Sequence, residues 1–420
     1  MRVLLPTLGS SGDVHPFIAL GTALRARGHR VTILTNPYFQ DLIEAQGLEF
    51  LPVGRIEDVD SAIADPDLWH ARRGFEVVAR RVILPAIAEV YRLVESQADS
   101  DTVVAASSIS LGARIAQEKF GIPTASVHLQ PIVIRSLVEQ GMFGNVRISK
   151  SQPRWFKRAF FRLIDWAAID RVIKRPLNEF RASLGLAPVD RVLHRWLHSP
   201  QCVIAFFPEW FAPPQPDWPP NTHQVGFPLW DGGGAVGAEP ELREFLQGGA
   251  RPVVFTPGSA ASTMHRYFSE SVEAVRRLGL RALLVTNFPE QLPRDLPSGV
   301  RTSGYLPFSE LLPHAALVVY HGGIGTLAQT IKAGVPHLVV PSAHDQFDNG
   351  WRIRQLGLGC SIPQTRYNAV RAARAIQAIL LDAHLRERCR DSAARIDSSA
   401  ALVRACELIE SLRSRRMQKP

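Results

Sequence analysis

The sequence predicts an α/β protein built from two doubly wound, Rossmann-like parallel-sheet domains that face each other across a cleft. Three observations carry this expectation. The chain has 420 residues, too many for one ordinary core and suited to two domains of about 200 residues each. Short apolar runs alternate with stretches of helical periodicity, the order of a parallel sheet with right-handed crossovers. The alternation breaks once, in a stretch rich in Pro, Gly and aromatic residues, and then restarts.

The first run, RVLLPTL at 2–8, passes through GSSGD into a helix expected from about Val14 to Arg27 and closed by Gly28. RVTILT at 30–35 is the next strand, and the runs at 101–107 and 122–129 bracket the helical GARIAQEKFG. The break begins near Phe207 with FFPEWFAPPQPDWPP and continues to DGGGAVGAEPE. It divides the chain into a first domain at 1–206, a connection at 207–240 and a second domain at 241–420, whose last helix is free to pack back on the first. Past the break, PVVFTPG, RALLVTN, ALVVYHGG and PHLVVPS each read as a strand followed by a helical stretch.

Lys and Arg exceed Asp and Glu by 9, which favours anionic partners such as nucleotide phosphates, an acidic substrate or a membrane face. The arginines are scattered rather than gathered into one block, so no nucleic-acid partner is expected. Cys202, Cys360, Cys389 and Cys406 show neither metal nor CxxC spacing and read as reduced thiols of a cytoplasmic protein. The N-terminal apolar run is short, meets glycines and charge at once, and lacks a small-residue cleavage site; it is a strand rather than a signal peptide. No run approaches the roughly eighteen apolar residues of a spanning helix, so the expectation is a soluble protein or one peripheral at the inner membrane.

Glycine-rich turns stand at the carboxyl ends of three predicted strands: GSSGD, TPGSA and HGGIGT. Open α/β sheets bind ligands at that edge. Gly322, Gly323 and Gly325 remove side chains so that an anion can reach backbone N–H groups at a helix start, where the dipole also favours negative charge. His321 adds a side-chain donor. A glycine turn before a helix also serves plain packing, and both readings stand on this stretch alone. Neither HGGIGT nor GSSGD is GxGxxG, and no GxxxxGK[ST] occurs, which lowers the NAD and P-loop readings.

Residues 304–349, GYLPFSELLPHAALVVYHGGIGTLAQTIKAGVPHLVVPSAHDQFDN, resemble the donor-binding signature of the family 1 glycosyltransferases, which have the two-domain GT-B fold. GSSGDVHPFIALGTALRARGH resembles the opening of the same family. The segments DVHPF, HSPQCVIAFFPEWFAPPQPDWP and SAHDQFDN look most like its rhamnosyltransferases of rhamnolipid synthesis. The resemblance implies that His321 binds the donor diphosphate, helped by Gly258, Ser259, Gly323 and the backbone N–H groups of Gly325 and Thr326. It implies that Asp345 and Gln346 hold sugar hydroxyls, accepting and donating hydrogen bonds. Tyr305 falls where a ring stacks on the nucleobase, or forms an apolar wall, and Leu306 where the backbone pairs with the base edge. Gln329 replaces the glutamate with which UDP-sugar members hold both ribose hydroxyls, which points to a dTDP-sugar. The co-substrate implied is dTDP-L-rhamnose, with no metal or other cofactor.

In the same resemblance the catalytic base is Asp13, which is also a natural N-cap for the helix expected to begin at Val14. Acceptor-side candidates are Gly12, His15, Arg80, Arg81 and His128, with Arg72 and Arg73 as further partners for an acceptor carboxylate. The segments 70–94 and 152–180 alternate arginines with apolar residues at helical spacing. They read either as ordinary amphipathic packing or as a greasy pocket or membrane face. The acceptor implied is a hydroxylated fatty-acid dimer; a sterol, carotenoid or polyketide aglycone is the alternative, and a membrane-associated partner subunit is allowed for. A non-catalytic nucleotide-sugar-binding subunit is the reading of another class, and it leaves the joint presence of Asp13, His321, Asp345 and Gln346 without a purpose.

Overall fold

A computed structural model describes residues 1–144, 146–232 and 240–417. Two parallel sheets organise the chain. The first has seven strands, β1 (Arg2–Pro6), β2 (Arg30–Thr35), β3 (Glu49–Pro52), β4 (Thr102–Ser107), β5 (Thr124–His128), β8 (Cys202–Ala205) and β9 (Thr222–Gln224), in the order β3-β2-β1-β4-β5-β8-β9. An antiparallel pair, β6 (Gly141–Phe143) and β7 (Val146–Ile148), stands apart from it. The second sheet has six, β10 (Val253–Thr256), β11 (Ala282–Val285), β12 (Val300–Ser303), β13 (Leu317–Tyr320), β14 (His337–Val339) and β15 (Gly359–Ser361), in the order β12-β11-β10-β13-β14-β15. Every pair within these two sheets runs parallel.

Helices cover both faces of each sheet, which is why the central strands are apolar without alternation. Val3, Leu4 and Leu5 of β1, and all of β10 and β13, are buried. In both sheets the strand order reverses beside the first strand, between β1 and β4 and between β10 and β13. Loops leaving neighbouring strands on opposite sides open a crevice at such a point. The glycine turns Gly9–Gly12, Gly258 and Gly322–Gly323 all sit there.

Several elements differ from expectation. The first helix runs Ser11–Ala26, three residues earlier than expected, because Ser10 rather than Asp13 is its N-cap. The stretch expected as a connection contributes β9 to the edge of the first sheet, and residues 233–239 of that stretch lie outside the described residues. Strands β3, β9, β12 and β15 were announced by no apolar run. They are the four sheet edges, where one flank needs no partner and polar residues are tolerated. The last helix, Ser398–Met417, packs on the helix Ser11–Ala26 and on β4, β5 and β8 of the first sheet. There Glu410 accepts from Arg27 at 2.7 and 2.8 Å and pairs with His29 at 2.8 Å.

The helices Leu84–Gln97 and Leu111–Phe120 cross on the outer face of the first sheet at Gly112. A Cβ there would stand 2.2 Å from the Ile87 carbonyl oxygen. Gly112→Ala is therefore expected to lower stability by about 1–3 kcal/mol through overpacking. Urea unfolding checks this; an unchanged midpoint refutes the close crossing.

Candidate active site

The two switch points face each other. Gly12, in the first turn of the helix Ser11–Ala26, lies against Gly325, in the first turn of the helix Ile324–Lys332; a Cβ at 325 would be 3.3 Å from the Gly12 Cα. A cavity of about 1410 Å³ opens around this meeting point, lined by both domains. It takes in Asp13, His15, Gly258, Ser259, Tyr305, His321, Gly323, Thr326, Gln329, Asp345 and Gln346 together.

Asp13 is the third residue of its helix. Its Oδ2 accepts from the Ser10 backbone N–H at 3.0 Å and the Ser10 hydroxyl at 3.2 Å, closing a capping box. Gln130 also donates to it. Burial outweighs these bonds and pushes its carboxyl up to about 6. Across the cleft, Asp345 accepts from Asn349 Nδ2 at 2.7 Å and is pushed up to about 7, first by burial and then by the charge of Asp13. The two carboxyls, one from each domain, therefore sense each other.

His321 is clamped between glycines. A Cβ at Gly258 would lie 2.7 Å from its ring, and one at Gly323 2.3 Å from Nε2. Burial, and then His344, hold the imidazole down at about 4, so at neutral pH it offers one N–H rather than a cation. Its Nδ1 is buried without a hydrogen-bond partner among the described residues.

Gln346 departs from expectation. Its Oε1 already accepts from Ser342 N at 2.8 Å, Ser342 Oγ at 2.9 Å and Ala343 N at 3.1 Å, so only its amide N–H groups remain for a sugar. Tyr305 is 41% exposed, and its hydroxyl donates to the Asp231 backbone oxygen at 2.7 Å, which fixes the ring at the cavity wall. Leu306 turns its side chain into the core and does not line the cavity. His15 stands edge-on to Phe39, Trp230 and Tyr305, with centroids 6.3, 5.0 and 6.5 Å away. Desolvation brings it down to about 4, and its position places it beside Tyr305. Gln329 is half-buried and lines the cavity.

Two acceptor-side candidates fall outside the cavity. His128 is wholly buried and bonds His198 Nδ1 at 2.9 Å behind β5, because its strand position points it into the domain interior. Arg80 is exposed and pairs with Glu76 at 2.8 Å along its own helix. Arg81 lines the cavity, but its guanidinium is taken by Asp65 at 3.0 Å and Ser61 at 2.9 Å, and Arg73 pairs with Asp67 at 2.8 Å. Arg72 lines the cavity with no ion pair among the described residues.

Sequence reasoning missed the first-domain loop that reaches over the glycine turns of the second domain. Trp69 stands edge-on to His321 and His344 at 6.1 and 5.6 Å and donates from Nε1 to the Ala260 oxygen at 3.2 Å. His344 holds a left-handed backbone, φ 55°, and reaches the Leu68 oxygen at 3.0 Å. Ser262 Oγ donates to the Ile63 oxygen at 3.0 Å. No local pattern marks Trp69; His344 stood beside Asp345 in a stretch already singled out. Gln130 and Trp230 were missed likewise. Among the described residues no group of three or more His, Cys, Asp or Glu could hold a metal ion.

Residues 3–138 match the glycosyltransferase family 28 N-terminal domain, and residues 281–409 match the C-terminal domain of erythromycin biosynthesis protein CIII-like proteins. The chain is 32% identical to O-mycaminosyltylonolide 6-deoxyallosyltransferase of Streptomyces fradiae, covering 98% of this chain and 97% of that one. It is 24% identical to sterol 3-beta-glucosyltransferase of Komagataella phaffii over 94% of this chain, and it spans 33% of that longer protein. Among solved structures, spinosyn rhamnosyltransferase SpnG, determined with thymidine diphosphate and separately with spinosyn aglycone, superposes with a TM-score of 0.68. That likeness is at 21% identity, over 97% of this chain and 100% of SpnG.

The raised carboxyl at 345 gives a stability test. A buried acid that ionises higher than it does unfolded costs stability as pH rises from about 4, and the cost levels off above about 7. Asp345→Asn is expected to raise the melting temperature at pH 8, with the gain shrinking as pH falls toward 4. A gain independent of pH refutes the burial of this charge.

Proposed function

The chain belongs to the family 1 glycosyltransferases of the GT-B fold, and from that premise we propose that it moves a deoxyhexose, L-rhamnose, from its dTDP conjugate onto a hydroxyl of a large apolar acceptor. The observation that carries this reading is the meeting of Asp13, His321 and Asp345 at the point where an apolar cavity of the first domain reaches the glycine turns of the second. The walls on the first-domain side include Phe75, Val82, Ile132, Val133 and Ile169.

The chemistry follows from the residues. Asp13 takes the proton of the acceptor hydroxyl as its oxygen attacks the anomeric carbon from the face opposite the nucleotide. The bond from that carbon to the diphosphate oxygen breaks, its electron pair leaves with the diphosphate, and the configuration inverts. The leaving charge is met by the His321 N–H and by backbone N–H groups at the start of the helix Ile324–Lys332. Asp345 accepts from, and Gln346 donates to, the sugar hydroxyls. Gln329 offers one neutral acceptor toward the ribose, a weaker hold on a 2′-hydroxyl than a carboxylate and little loss for a deoxyribose.

Two acceptor classes fit the apolar walls. One is a 3-(3-hydroxyalkanoyloxy)alkanoic acid, with Arg72 as the cation left for its carboxylate. The other is a polyketide or sterol aglycone, favoured by the tylonolide and sterol in the relatives' names. Purified protein given dTDP- and UDP-sugars against both classes, read by mass spectrometry, decides between them. Equal turnover of a fatty-acid dimer and its methyl ester removes the carboxylate from recognition; no product with any pair refutes the function.

Asp13→Asn keeps the capping acceptor and is expected to bind donor normally while losing transfer by a factor of about 100 or more. Because Asp13 acts ionised and burial raises it to about 6, wild-type kcat/KM is expected to fall as pH drops through about 6. Near-normal turnover of the Asn variant moves the base elsewhere. Gln329→Glu is expected to narrow the preference for a dTDP-sugar over its UDP counterpart; an unchanged ratio takes Gln329 out of nucleotide selection.

A further inference from the structure

The helix Arg154–Ile164 and the wider helical turns that continue it through Lys174 have two unlike sides. The inner side is fixed to the domain: Phe161 is buried, Lys157 is buried with its ammonium on the Val138 oxygen, and Asp165 pairs with Arg135 at 2.5 Å. Ile164, Ala167, Ala168 and Ile169 of this segment line the cavity. The outer side carries Trp155, 71% exposed, Trp166, 74% exposed, and Leu163, 59% exposed. The two tryptophans stand about three turns apart on one crest. Large side chains of this kind are normally covered.

Charge says what covers them. Arg154, Arg158, Arg162 and Arg171 flank the crest, exposed and without a carboxylate partner among the described residues. The segment's own carboxylates turn away: Asp165 is buried and Asp170 half-buried. Indole rings bracketed by unpaired guanidinium groups match the boundary of an anionic bilayer, where the ring sits at headgroup depth and the cations meet lipid phosphate. We propose that this face docks the enzyme on an anionic phospholipid membrane, setting the wall of the acceptor cavity directly above the lipid surface. The sugar chemistry is not needed for this inference, so its failure leaves the proposed reaction standing.

The test is co-sedimentation of the full chain with vesicles of pure phosphatidylcholine and with vesicles containing about 30% phosphatidylglycerol. Binding is expected only with the anionic lipid, with a blue shift of tryptophan emission and with release in about 0.5 M salt. The double variant Trp155→Ser, Trp166→Ser and the triple variant Arg154→Gln, Arg158→Gln, Arg162→Gln, both altering exposed side chains only, are each expected to weaken partitioning at least tenfold. Equal binding to both vesicle types, no binding to either, as a face meant for a protein partner would give, or variants that bind like wild type overturns the proposal.

Discussion

The head-to-head approach of two helix starts, Gly12 against Gly325, is the constraint on which the cleft depends. Each helix follows a strand at the switch point of its own sheet, so both present their N-terminal ends to the same place. That brings unpaired backbone N–H groups and the positive ends of two dipoles together, a setting suited to a diphosphate. A Cβ at Gly325 would press on the Gly12 Cα at 3.3 Å, whereas one at Gly12 would meet only Ser10 Oγ at 3.9 Å. The same closeness removes water from Asp13, Asp345 and His321, and desolvation is the largest cause of the shift at each of them. The site thus holds both carboxyls raised toward neutral pH and its histidine uncharged there.

Closure is held by bonds distant in sequence. The loop around Trp69 reaches from the first domain to Ala260 and His344, and Met142 of β6 donates to Asp348 at 2.9 Å. Asp348 is fully buried and survives there because Arg352 pairs with it at 2.7 Å. Arg352 in turn reaches the Phe211 and Gln140 oxygens of the opposite domain. The helix beginning at Gln346 is in this way fixed to the first domain. The buried Asp348–Arg352 pair therefore joins the Trp69 loop in tying the two walls of the cavity together.

The sequence by itself determined the two doubly wound sheets and the glycine turns at their strand ends. Buried parallel strands must be continuous apolar runs, and a helix start that admits an anion must shed its side chains; both demands are local and leave a local mark, as at Val253–Thr256 and at Gly322–Gly325. The tertiary structure alone decided the rest. The edge strands β3, β9, β12 and β15 exist because a neighbour offers hydrogen bonds, and β8 runs straight into the aromatic stretch that hides it. Whether an arginine faces substrate depends on which carboxylate stands nearby, so Arg80 and Arg81, identical in sequence terms to Arg72, are spent on Glu76 and Asp65. His128 faces inward, Gln346 gives its oxygen to its own loop, and Trp69 reaches His321 from far along the chain. Such pairings are set by distances between residues remote in sequence, and no local pattern of residues encodes them.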